Sequence, residues 1–207
     1  MSKRVLLIGS AGTVGSAVLA AFTVRGYDLV IADYASPESP IDITDSASIA
    51  RAYERAGEVD AVVSTVGALA LAPLEELTLD QVRSSIAGKL LGQIDLVLQG
   101  LPHLRERGSF TLVSGIMSRI PWHGGVSAAI VNGGLDAFVL AAAAELSGGR
   151  RINSVSPSIL RESIDKAGGE NPLPGHRPIP ASDVADAYVR SVEGIETGKT
   201  FAVGYPT

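Results

Sequence analysis

Short apolar runs alternate with amphipathic stretches of helical spacing along the whole chain. Arg4-Val5-Leu6-Leu7-Ile8 reads as a buried strand, and Val14, Ala17, Val18, Ala21 and Phe22 then recur with the spacing of one apolar helix face. Gly26 ends that helix, and Leu29-Val30-Ile31-Ala32 forms a second strand that runs into Asp33. Residues 36–40 read as a loop and Ile41-Asp42-Ile43 as a brief strand, after which Thr44-Asp45 can cap a helix carrying Ile49, Ala52, Tyr53 and Ala56 on one face. Asp60-Ala61-Val62-Val63-Ser64 is the next strand, leading into Thr65-Val66-Gly67. Beyond a loop at Pro73, Glu75 and Glu76, the capping-box pair Thr78 and Gln81 opens a long helix. Val82, Ile86, Leu90, Val97 and Leu101 stripe it, and Pro102 closes it.

The alternation continues through the second half. Phe110-Thr111-Leu112-Val113 is a strand, followed by a loop at 114–125 that holds Ser118, Arg119, Trp122 and His123. An alanine-rich helix from Ala128 to Leu146 has small residues on several faces, suited to packing on the sheet and on a partner subunit. Arg151-Ile152-Asn153-Ser154-Val155 is a strand stopped by Pro157. Residues 158–181, with Pro172, Pro174, Pro178, Pro180 and several glycines, predict a surface lid over a substrate. Ser182 caps a last helix with Val184, Ala187, Tyr188 and Val192, and Phe201-Ala202-Val203 is the final strand. No internal repeat interrupts this order. It predicts an α/β fold, a Rossmann-type doubly wound parallel sheet of about seven strands flanked by helices, as a single domain over residues 1–207.

Gly9-Ser10-Ala11-Gly12-Thr13-Val14-Gly15 lies between the first strand and the first helix. Strand, glycine-rich turn, helix, strand and carboxylate is the order of a dinucleotide-binding unit. Glycines at 9, 12 and 15 permit a tight turn, close approach of a pyrophosphate and helix–sheet packing, with the helix amides facing the anion. Asp33, 24 residues after Gly9, can accept the ribose hydroxyls of the adenosine half and would repel a 2′-phosphate. NAD is therefore expected over NADP.

Composition narrows the partners. The 207 residues carry a formal charge of −5 with no Lys/Arg cluster, which argues against nucleic acid and anionic membranes. There is no cysteine, so thiolate metal sites and disulfides are excluded, and His103, His123 and His176 offer no local ligand spacing. The apolar run before Gly9 is too short for a signal-peptide core, and no uninterrupted apolar run reaches membrane-spanning length. A cytoplasmic location is expected, with a small molecule as substrate.

On these residues the sequence resembles the short-chain dehydrogenase/reductase family over nearly its whole length. Asp42, followed by Ile43, resembles the family's acid beside the adenine. Val59-Asp60-Ala61-Val62-Val63 resembles the strand before its Asn-Asn-Ala-Gly turn, here Ser64-Thr65-Val66-Gly67, and Pro73-Leu74-Glu75-Glu76-Leu77-Thr78 resembles the stretch after it. Ile152-Asn153-Ser154-Val155-Ser156-Pro157 is similar to the segment beside the nicotinamide. The resemblance implies an NAD(P)-dependent oxidoreductase, a homodimer or homotetramer built by the long helices, and a cofactor held by Gly9, Ser10, Gly12, Thr13, Val14, Gly15, Asp33, Asp42, Ile43, Val66, Gly67 and Pro157.

The catalytic positions depart from the family. Its Asn, Ser, Tyr and Lys correspond here to Lys89, Gly115, Ala128 and Asn132, so an atypical subgroup without the usual tetrad is implied. Lysine and asparagine have exchanged places. Lys89 can set a cation near the cofactor ribose with Asn132 as its partner; the alternative is a solvated helix lysine and a satisfied polar residue. Ser114 can supply a hydroxyl, and His123 is the candidate for a titrating group, the alternative being an ordinary surface histidine. His176 and Arg177 in the lid could meet an acidic substrate or be an ordinary solvated pair. Two functions follow: an NAD(P)-dependent oxidoreductase with a non-standard site and unknown substrate, or a nucleotide-binding sensor or assembly protein without turnover.

Overall fold

A computed structural model describes residues 2–206. Six strands form one parallel sheet in the order β2-β1-β3-β4-β5-β6. They are β1 (Arg4–Ile8), β2 (Asp28–Ala32), β3 (Val59–Ser64), β4 (Leu104–Val113), β5 (Arg151–Pro157) and β6 (Thr200–Val203). The helices are α1 (Thr13–Val24), α2 (Ser46–Ala56), α3 (Leu79–Ser85), α4 (Gly92–Gly100), α5 (Val126–Glu145), α6 (Arg161–Lys166) and α7 (Ala181–Glu193). A π-helical segment, Ile86–Leu91, joins α3 to α4.

Each face of the sheet has its own apolar cluster because both sides of every inner strand must be covered. Leu6, Ile8, Val62, Phe110 and Leu112 meet α2, α4 and α5 on one side. Val5, Leu7, Ala61, Val63 and Val155 meet α1 and α7 on the other. By length and composition α5 could cross a membrane, but Val131, Leu135 and Val139 are buried in the core and Asn132 and Asp136 interrupt it. Gln93 is wholly buried on α4, where its amide nitrogen donates to the Val113 carbonyl and its amide oxygen accepts from the Val113 N–H, both at 2.9 Å.

The expected count of about seven strands becomes six. Residues 41–43 form no strand; one parallel bridge between Asp33 and Pro40 is all that pairs there. The local side chains take the backbone donors that a strand would need. Ser48 Oγ accepts from Asp42 N, and Asp42 Oδ1 accepts from Thr44 N. Asp45 caps α2 through Ala47 N, and Thr78 and Gln81 form the expected capping box. Ser182 is not a cap. The start of α7 is capped from α6 instead, where both Glu162 oxygens accept from Ala181 N at 3.0 and 3.2 Å.

Gln93→Leu keeps the volume and leaves the Val113 polar groups buried without this partner. It is expected to lower the unfolding free energy by roughly 2 kcal/mol in urea denaturation, with the denaturant slope unchanged.

Candidate functional site

The turn from β1 into α1 is closed by contact. Gly9 has φ +92°, and a side chain there would strike Val66 and Thr65. A side chain on Gly15 would overlap the Gly9 carbonyl oxygen. Gly12, by contrast, has only that oxygen at 3.6 Å, so the backbone stays open on its outer side. No side chain caps the helix start, which leaves the leading amides of α1 available to an anion. Asp33, at the end of β2, accepts from Ser10 Oγ at 2.6 Å and from Ala11 N at 3.2 Å. Its carboxylate is thus held against the turn while its remaining lone pairs are free to accept.

Two cavities follow the carboxyl ends of the strands. The one beyond β1 and β3, of about 380 Å³, is lined by Tyr34, Asp42, Ile43, Val66 and Gly67 among others. Asp42 is kept below the usual carboxylate range by hydrogen bonds from the Thr44 side chain and backbone. The cavity beyond β4 and β5, of about 670 Å³, is lined by Lys89, Ser114, Gly115, Asn132 and Pro157 and by apolar side chains including Met117, Trp122 and Leu160. Placed end to end, the glycine turn, the carboxylates and the two cavities fit a dinucleotide lying across the sheet edge, at the point where strand order reverses beside β1.

Lys89 lines the larger cavity, one residue after Gly88 in the wall of the smaller. It sits in the π-helical segment and is only 6% exposed. Its Nζ donates to the Ser114 carbonyl at 2.9 Å and to Asn132 Oδ1 at 2.8 Å. The surroundings are cut to admit it. A side chain on Gly67 would strike the Lys89 stem, and one on Gly115 would press on the Asn132 amide. Burial pushes the Lys89 ammonium down from 10.5 to about 8, against a smaller upward pull from the Asp136 carboxylate. Asp136 itself accepts from the hydroxyls of Ser118, Ser154 and Thr200. Ser114 Oγ and Ser158 Oγ are buried without a partner in the walls of the larger cavity.

The structure therefore gathers Lys89, Asn132 and Ser114 and leaves His123 out. His123 is exposed in its loop and is not among the cavity-lining residues, whereas its neighbour Trp122 is; the loop turns the indole inward and the imidazole to water. His176 and Arg177 do not line it either. The solvated-lysine alternative fails because Lys89 is buried. The lid at 158–181 contains a helix, α6, that pattern reading passes over. Ser163 and Ile164 of α6 line the cavity, and Lys166 Nζ donates to Thr13 Oγ1 at 2.9 Å, tying the lid to the first residue of α1. A single lysine in a Pro/Gly-rich stretch carries no sequence signal of that contact.

Comparison with known proteins adds the following. A family model described as Enoyl-(Acyl carrier protein) reductase matches residues 9–173. L-fucose dehydrogenase of Oryctolagus cuniculus is 30% identical over 175 residues, covering 75% of this chain; the chain spans only 62% of that relative's length. The crystal structure of a Listeria innocua protein superposes with TM-score 0.93 at 43% identity, over 98% of this chain and 100% of the other. A small-chain dehydrogenase solved in complex with NADPH superposes at 0.83 with 23% identity, over 98% and 97% of the two chains, a likeness of fold.

The buried ammonium has a pH signature. The folded protein releases the Lys89 proton near pH 8, whereas the unfolded chain holds it to 10.5, so stability rises with pH between those values. Above about 10.0 the buried Tyr53 and Tyr188, which burial keeps from ionising, act in the opposite direction. Urea unfolding from pH 8 to pH 10 is expected to show a gain of about 2 kcal/mol, absent in Lys89→Met. A wild-type protein with no gain across that window would argue against a buried charge.

Proposed function

The chain belongs to the short-chain dehydrogenase/reductase family of NAD(P)-binding oxidoreductases, and from that premise we propose that it transfers hydride between NAD and a small carbonyl or alcohol at a non-standard site. The observation that carries this reading is the Lys89 ammonium, held by Ser114 and Asn132 in the wall of the larger cavity. When bound, the nicotinamide supplies or accepts the hydride. The α1 amides and Gly12 would hold the pyrophosphate, Asp33 the adenosine ribose, Asp42 and Ile43 the adenine side, and Pro157 would border the nicotinamide end. Lys89 would lie at the same end, in the wall of the larger cavity. The apolar walls favour an apolar substrate and keep water from the reacting carbon.

Asp33 supports NAD over NADP, because a 2′-phosphate beside a carboxylate already fixed by Ser10 and Ala11 meets a charge that cannot turn away. The relative solved with NADPH is a different protein, and its cofactor is not carried over. Exposed Leu98 on α4 and Leu140 on α5 support the further proposal of a homodimer or homotetramer.

A second reading has its own observation. Gly115 and Ala128 place no hydroxyl where the family has serine and tyrosine, which supports an NAD-binding sensor or assembly protein. Such a protein would bind the nucleotide and never oxidise NADH with any carbonyl offered.

Calorimetric titration with NAD and NADP tests the cofactor reading. NAD is expected to bind tighter by roughly tenfold or more, about 1.4 kcal/mol, and Asp33→Asn to narrow the gap. A preference for NADP in the wild type would remove the role given to Asp33.

A further inference from the structure

The larger cavity contains a proton problem. Reducing a carbonyl requires a proton at oxygen, and the walls offer few groups to give one. Lys89 and Glu170 are the ionisable residues among those lining the cavity, and Glu170 is exposed at the lid. No tyrosine or histidine lines it, and the walls are otherwise hydroxyls, backbone and apolar side chains. Lys89 alone combines burial with a fixed direction. Two of its three N–H bonds are spent on the Ser114 carbonyl and Asn132 Oδ1, which leaves one to donate.

Resting on the oxidoreductase reading, we infer that Lys89 is the acid/base of the site, its Nζ exchanging a proton with the substrate oxygen, and that Asn132 is the residue that positions it. In the reductive direction the C=O π bond is replaced by a C–H bond, formed with hydride from the reduced nicotinamide, and an O–H bond, formed with the Nζ proton. The products are the alcohol, the oxidised nicotinamide and a neutral Lys89 amine, which regains its proton from water. In the oxidative direction the neutral amine takes the alcohol proton as hydride leaves the carbon. The substrate class is an apolar ketone or aldehyde, because Leu69, Ile116, Met117, Trp122, Leu160 and Ile164 give the cavity most of its large apolar surface.

The charge around Lys89 suits this work. Asp136 on α5 favours the ammonium through its charge; its oxygens accept from Ser118, Ser154 and Thr200, and Arg119 stands 3.9 Å away from it. From the end of β4 the lysine meets the neutral Ser114 carbonyl, and the exposed Glu170 lines the same cavity. With burial dominant, the ammonium titrates at about 8, close to the range where a general acid works best.

The test begins without cofactor. The chain has four lysines, Lys3, Lys89, Lys166 and Lys199. A nitrogen-15 NMR titration of their side chains in the unliganded protein should show one midpoint near pH 8 that is lost in Lys89→Gln. Kinetics then use NADH with a panel of straight-chain aldehydes, aliphatic ketones and aryl ketones. Expected for the wild type is a kcat/KM that is level below pH 8 and falls about tenfold per pH unit above it, with the mirror profile for alcohol oxidation by NAD. Lys89→Gln should lose about 10²- to 10⁴-fold in kcat/KM with NAD affinity little changed. Asn132→Asp should move the midpoint up by about one unit, because a carboxylate beside the ammonium favours its charged form. A pH profile flat through 8, or Lys89→Gln turning over at the wild-type rate, overturns the proton role and leaves the oxidoreductase reading standing. Loss of NAD binding in a folded Lys89→Gln also overturns it, assigning the lysine to the cofactor alone. Tight NAD binding with no turnover of any carbonyl or alcohol overturns the oxidoreductase reading and this inference together.

Discussion

A charged amine taken out of water must be given oxygens, and much of this active edge is arranged to give them to Lys89. The stem crosses Gly67, where a Cβ would block it. The π-helical segment widens the helix at the position that turns the stem inward, an irregularity often found at functional sites. The acceptors arrive from two other elements, the carbonyl after β4 and the amide of Asn132 on α5. Gly115 is empty of side chain where Asn132 needs room. These positions form one arrangement: filling any of them would leave a buried ammonium with fewer partners, which costs more than the ordinary loss of a hydrogen bond.

On the proposed correspondence with the family, its serine, tyrosine and lysine would be Gly115, Ala128 and Asn132 here, with the cation of Lys89 entering from the opposite helix. The larger cavity sets Lys89, Ser114, Asn132, Ser158, Ser163 and Glu170 among largely apolar side chains. At the proposed nucleotide edge the Gly9–Gly15 contact fixes the turn and Asp33 is bonded back onto it.

Much of the framework was legible because it rests on local chemistry. The apolar run before Gly9, the glycine spacing, the acid at 33 and the Thr78–Gln81 box each act over a few residues. Asp42 misled for the same reason: Ile-Asp-Ile has strand character, but hydrogen bonds with Ser48 and Thr44 remove its ladder partners. The first half of β4 was hidden by Arg105, Glu106 and Arg107, the last at φ 61°, which do not read as a strand. The exchange of Lys89 and Asn132 was visible as an anomaly of position. Its burial and titration were not, since they depend on how the π-helical segment, α5 and the end of β4 converge, and no short window of sequence contains all three.

The short helix α6 has bonds of unequal strength at its two ends. Glu162, near its start, accepts the Ala181 N–H with both oxygens, a charge-assisted contact that joins it to a core helix. Lys166, at its finish, reaches Thr13 across exposed surface, a bond worth much less in water. Strained outward, the segment would part first at Thr13 and stay attached at Ala181, swinging as a flap on a fixed pivot. The weak fastening meets α1 at its first residue, so an anion at that helix start would compete for the same lysine.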